Sequence, residues 1–265
     1  MTPSETPAPA GAAIRPAPLS TGAQPLRGEH RFFSVASLAM VAVIAIGFAP
    51  SFYLRGIVPA PHPFEPLTPL VLLHGLLFSA FLLLFTAQVW LVAAGRSDVH
   101  RKLGRVAFIL VPLMIVVGVV TGLGGVSRPL TAPPGISPLS WLAVPLLDVP
   151  VFGTLLILGL ANRFRPVAHK RYMFIAMADM MVPGFGRIAP LLPIPPTLVI
   201  PTGQIFLPAL FLIALIAWDY WTRGRPHRIS IVASSAVIAV AAVKPLLWTT
   251  PGWLHFAERV AAAFR

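Results

Sequence analysis

The chain carries seven histidines among 265 residues, and four of them share one context. His30-Arg31, His100-Arg101, His169-Lys170 and His227-Arg228 each stand at the start of an apolar segment. Three extend this to Arg-x-x-x-His-(Arg/Lys), from Arg96, Arg165 and Arg223, and His100-Arg-Lys-Leu and His169-Lys-Arg-Tyr go furthest. Two chemistries suit such a repeat. Histidine and arginine at helix N-termini can hold anionic lipid phosphate, where backbone amides already favour anions. Alternatively His100 and His169 face one another across a helix bundle, as axial ligands of a b-type haem or as ligands of a metal.

A second set of polar residues falls inside apolar sequence. At 1.5 Å rise per residue, His74 lies roughly 6 Å inside the outer end of its segment. Asp148 and Arg187 reach similar depth on two other segments, and Gln204 opens a third. Intramembrane charges pair or line a cavity, so an Asp148–Arg187 ion pair is expected, with His74 beside it and Gln204 completing the layer. Asp179 is the lone acid near mid-depth, with Gln88 placed to hydrogen-bond it. That suits a proton relay, a quinone-facing donor or a plain helix–helix hydrogen bond. Asp219 is expected to pair with Arg223 at an interface. Met173, Met177, Met180 and Met181 form a one-sided stripe that suits adaptable packing, or less simply a haem ligand.

The elements that must position these residues follow from composition. The chain is 57% hydrophobic and 11% charged, with a mean hydropathy of +0.83. Soluble domains carry about 25% charged residues, so this composition requires lipid. The absence of cysteine excludes disulfides, thiolate metal sites, iron–sulfur clusters and covalent haem attachment. The net charge of +12 is dispersed singly around apolar segments and does not read as nucleic-acid binding. Since about 20 apolar residues span a bilayer as helix, seven segments qualify: 32–53, 70–94, 103–123, 142–162, 172–191, 203–222 and 229–248. The fifth is interrupted by Pro183, Gly184, Gly186 and Pro190. The expected fold is an all-α, seven-helix transmembrane bundle.

Of the 20 lysines and arginines, 14 fall at the ends expected to be inside and 6 at the others, which predicts N-in, C-out topology. Residues 1–30, with six prolines and no apolar run, read as a disordered cytoplasmic tail and not as a signal peptide. Residues 31–249 form the membrane domain. Residues 250–265, with Trp253, Phe256, Val260 and Phe264 at helical spacing, read as an amphipathic helix on the outer surface. The proline-rich outer connections suit a fixed lid or short rigid connectors.

The run Leu73-His74-Gly75, Gln88-Val-Trp-Leu-Val, Gly95-Arg96 and His100-Arg-Lys-Leu-Gly, followed by His169-Lys-Arg-Tyr-Met and Arg187, resembles an uncharacterised family of bacterial multi-pass membrane proteins. That resemblance covers about residues 70–190. It implies the cytoplasmic membrane of a bacterium and no activity. A looser similarity is to b-type di-haem cytochromes of the ascorbate-reducing class, which hold haem between paired histidines on a four-helix core. His74 has no histidine partner at its depth, so this similarity implies at most one inner haem. Three readings stand open: electron transfer with haem b or quinone, small-molecule or proton-coupled transport or sensing through an outer His/Asp/Arg pocket, and a non-catalytic scaffold that gathers partners or organises lipid.

Overall fold

A computed structural model describes residues 23–263, and among these no strand forms. The helices are α1 (Ala23–Phe48), α2 (Pro69–Ala93), α3 (Ser97–Gly104), α4 (Ala107–Gly124), α5 (Pro138–Trp141), α6 (Ala143–Ala161), α7 (Pro166–Met180), α8 (Val182–Ile188), α9 (Pro196–Pro201), α10 (Leu207–Arg223), α11 (Arg228–Leu247) and α12 (Pro251–Ala263). They make seven spans long and apolar enough to cross a membrane. The first is α1 with the π-helical turn Ala49–Tyr53, the second α2 and the third α4. The fourth joins α5 to α6, the fifth α7 to α8 and the sixth α9 to α10, and α11 is the seventh. The chain is a multi-pass integral membrane protein.

Two boundaries differ from expectation for one reason. Residues 23–30, expected in the tail, already belong to α1, and the fifth span begins at Pro166, not at 172. Hydropathy places charged residues in loops, but here they are paired inside helices. Glu29 on α1 accepts from Lys170 on α7 at 2.5 Å. Arg171, only 3% exposed, binds the fully buried Asp219 of α10 through both Nε and Nη2. Asp219 also accepts from Ser230 Oγ on α11 at 2.5 Å and from the His227 backbone N–H at 3.2 Å. The expected Asp219–Arg223 pair is therefore replaced by a clamp across the fifth, sixth and seventh spans. The rest of the expected tail, residues 1–22, lies outside the described residues.

The fifth span is the least apolar of the seven and the most deeply buried. Phe174, Ile175, Ala176, Met177 and Ala178 are all buried in succession, so every face of α7 meets another helix. Met177 and Met181 are fully buried packing residues. Pro183 cannot donate to the Asp179 carbonyl four residues earlier, and the span breaks between α7 and α8. Beyond the break, glycines let backbones touch. A Cβ on Gly47 would lie 2.6 Å from the Gly184 carbonyl oxygen, and one on Gly203 would lie 2.8 Å from Gly186 Cα. Small residues at such crossings are how membrane helices approach closely.

The connections after the first and third spans are stitched together. Arg128 donates to the Pro66 carbonyl and the Leu130 amide to Glu65, both at 2.9 Å. Helix α12 docks there through Trp253 Nε1, which donates to the Leu139 carbonyl at 3.0 Å. Its buried stripe is Ala257 and Ala261, and Phe256 is exposed, so the face differs from the aromatic one expected.

Asp219→Ala would strand the Arg171 guanidinium in the bundle. A loss of about 3–5 kcal/mol is expected, as for other broken buried pairs, read as a marked fall in melting temperature in detergent. Arg171→Leu with Asp219→Ala should recover much of it. Because the chain has no native cysteine, single cysteines report topology directly. N-in orientation requires that Thr131→Cys react with an impermeant maleimide on intact cells and that Ser97→Cys not react until the cells are permeabilised.

Candidate functional sites

The four histidines of the repeat separate into two kinds once folded. His30 lies well inside α1, beyond its first turn. His227 is the N-cap of α11, its Nδ1 accepting from the Ile229 amide at 3.1 Å. His100 and His169 alone share one local geometry. Each sits one turn after an arginine N-cap, its amide bonded to the Arg96 or Arg165 carbonyl at 3.0 and 2.9 Å. Each ring also reaches back to the preceding helix. His100 Nδ1 lies 3.3 Å from the Gln88 carbonyl oxygen, and His169 Nδ1 lies 2.8 Å from that of Gly159. A carbonyl can only accept, so Nδ1 carries the proton in each ring and the Nε2 lone pair is left available.

The two rings meet, with centroids 6.3 Å apart and planes at 86°. Around them the packing is reciprocal. Gln88 is large where Gly104 is small, and a Cβ on Gly104 would lie 3.1 Å from Gln88 Nε2. In the other unit Gly159 is small and Met173 large, with Met173 Sδ 2.6 Å from where a Gly159 Cβ would be. Met173 is thereby committed to packing. Gln88 Oε1 is buried without a partner, and the amide does not reach Asp179 as expected.

The outer layer is rearranged relative to expectation. Asp148 does not pair with Arg187. Its two carboxylate oxygens accept from Lys244 Nζ of α11 at 2.7 and 2.8 Å, and Gln204 Oε1 accepts from the same ammonium at 3.3 Å. Lys244 is 1% exposed. Arg187 points to the bundle surface, where it stacks over the Phe48 ring at 4.0 Å and donates to the Pro183 carbonyl at 2.9 Å. His74 stacks on Phe78 with centroids 4.3 Å apart, and its Nδ1 is buried without a partner. Asp179 is buried on α7, which packs against α6 and α11, and its side chain has no hydrogen bond or ion pair among the described residues.

Lys244 is the functional residue that sequence reasoning missed. It sits inside the segment 229–248, yet it was counted with the outer basic residues flanking that segment. A cation four residues inside an apolar end was the signal, because such a lysine either snorkels or finds an acid. A groove of about 570 Å³ between α6, α7 and α11 is lined by Pro150, Leu158, Tyr172 and Val232 and includes no residue of either polar cluster. Comparison of the chain with protein families, curated proteins and solved structures gives no match.

Burial, with the nearby Arg171 and Arg223 charges, holds the His227 imidazole below its ordinary value. The fold therefore favours the neutral ring, whose Nδ1 must stay unprotonated to cap α11. In the unfolded chain the ring protonates near pH 6.5. The stability this contributes is complete above about pH 6.5 and declines as pH falls below it toward the folded value. His227→Asn keeps a capping acceptor. Melting followed from about pH 8 to pH 5 should therefore show a shallower decline in that variant than in the wild type.

Proposed function

We propose that this protein holds one b-type haem between His100 and His169 at the inner end of the bundle and serves membrane electron transfer. The observation that carries the reading is the 6.3 Å separation of the two rings with both Nδ1 atoms tethered to carbonyls. His100 and His169 would hold the haem iron through their free Nε2 atoms. The tethers fix tautomer and ring orientation, as the outer partners of metal-bound histidines do. The donor set suits haem better than a bare ion. Among the described residues no three His, Cys, Asp or Glu side chains converge, whereas haem brings four ligands of its own and needs only two axial ones.

Arg101, Lys102, Arg105 and Arg165 are exposed around the pair. They suit the propionates of a haem, and the remainder suit anionic lipid headgroups at the same level. A bound haem would supply one-electron chemistry. The chain itself supplies the two neutral imidazoles, the carbonyls that orient them and the apolar surroundings. We further propose that the N-terminus lies inside, on the distribution of the basic residues, and that the membrane is the cytoplasmic membrane of a bacterium, on the resemblance of residues 70–190 alone.

An optical spectrum of protein purified in mild detergent from haem-sufficient cells tests this. A Soret band and a sharp reduced α band are expected after dithionite. His100→Ala and His169→Ala should each abolish them, and His74→Ala should leave them unchanged. A featureless visible spectrum from folded wild-type protein would sink the reading.

A further inference from the structure

A different cluster, independent of the histidine pair, lies in the outer half of the bundle. Asp148 of α6, Gln204 before α10 and Lys244 of α11 come together from three spans, and Asp179 is buried on α7, which packs against both α6 and α11. Lys244 spends its ammonium on both oxygens of Asp148 and on the Gln204 amide oxygen, which accounts for its three N–H donors. Nothing is left of it for Asp179. The two acids also differ in access. The Asp148 side chain is 22% exposed, whereas Asp179 is 7% exposed in the centre of the bundle.

Counting charge in this cluster gives one cation and two carboxyl groups, in surroundings where an unpaired charge is expensive. Asp179 also stands at the broken end of α7, one residue before its last, where the helix dipole places partial negative charge. The Asp179 carbonyl has lost its ordinary donor to Pro183, which adds to that negative character. The other titratable groups facing this depth are His74 on α2 and Arg187 on α8, and Arg187 is directed to Phe48 and the Pro183 carbonyl. Spans one and three offer no charged side chain here. The other acids are engaged. Asp98 faces Arg96, Asp219 faces Arg171, Glu29 faces Lys170, Glu258 faces His255, and Glu65 accepts from the Leu130 amide. Asp179 is the one buried acid among the described residues with neither cation nor donor.

We propose that Asp179, Asp148 and Lys244 form a proton-binding site that holds one exchangeable proton, carried on the Asp179 carboxyl while Lys244 is bound to Asp148. Uptake forms the Asp179 O–H bond and brings the cluster to neutrality. Release leaves one uncompensated negative charge, and the Lys244 ammonium is then shared between two carboxylates. The ligand is a proton and not a metal cation, because Lys244 already occupies the position a monovalent cation would take between the acids.

Infrared spectroscopy of the full-length protein in phospholipid vesicles tests the site without knowing any transported substrate. At neutral pH the wild type should show the carbonyl stretch of one protonated carboxyl, shifted by deuterium oxide. Asp179→Asn should lose it. Asp148→Asn should lose it too, because Lys244 then pairs with Asp179 and holds it ionised. Asp148→Asn with Lys244→Met should restore it, since Asp179 is then alone in apolar surroundings. A wild type with no such band, or a band that survives Asp179→Asn, overturns the proposal. So does a band that vanishes on adding sodium at constant pH, which would make the site one for a metal cation. The wild-type measurement stands even if a variant fails to fold.

Discussion

A charge surrounded by hydrocarbon has no water to turn to, and this constraint organises the whole bundle. The buried cations Arg171 and Lys244 are each matched by an acid on another span, so each match dictates which helices must touch. Arg171 with Asp219 and Ser230 ties spans five, six and seven at one end of the bundle. Lys244 with Asp148 and Gln204 ties spans four, six and seven in the opposite half. In lipid, apolar side chains gain little by meeting one another instead of acyl chains, so such polar contacts and close packing carry specificity.

The fifth span stands at the centre because it alone cannot face lipid. Its sequence holds Lys170, Arg171 and Asp179, then Pro183 and two glycines, all poor choices for a lipid-exposed helix. Burial suits most of them: Lys170 and Arg171 find acids on other spans, and the glycines admit the backbones of spans one and six to contact distance. The interruption of the helix and its burial are thus two sides of one arrangement. Irregular backbone at membrane depth is tolerated where protein covers it.

Much of this was legible in the sequence, and the failures have a common cause. Seven apolar runs, the break in the fifth, and the facing of His100 and His169 all follow from periodicity and motif spacing. Depth along a helix was also readable, and it placed Asp148 and Gln204 in one layer, where both now meet Lys244, and Asp179 in a separate, deeper one. What depth does not give is azimuth. Arg187 shares the level of Asp148 but points outward, and Lys244 takes its place. Likewise Arg223 is nearest to Asp219 in sequence, while Arg171 is nearest in space. The repeat misled in a related way, since Arg223-x-x-x-His227 matches the spacing of its fellows, yet Gly224 at φ 70° ends α10 inside it and makes His227 a cap. Hydropathy alone also trims charged helix ends, as it did at Glu29 and at His169 through Arg171.

The separation of Asp148 from Lys244 along the chain, 96 residues, has a consequence for how the protein is made. Chains emerge at about 5–20 residues per second, so the fourth helix enters the membrane roughly 5–20 seconds before its counter-ion has been synthesised. During that interval the acid must wait either protonated or near the membrane surface, and Lys244 must itself be drawn past the interface when the seventh helix arrives. The last span to enter is therefore the one that fixes the fourth in place, and assembly is sealed from the C-terminal side.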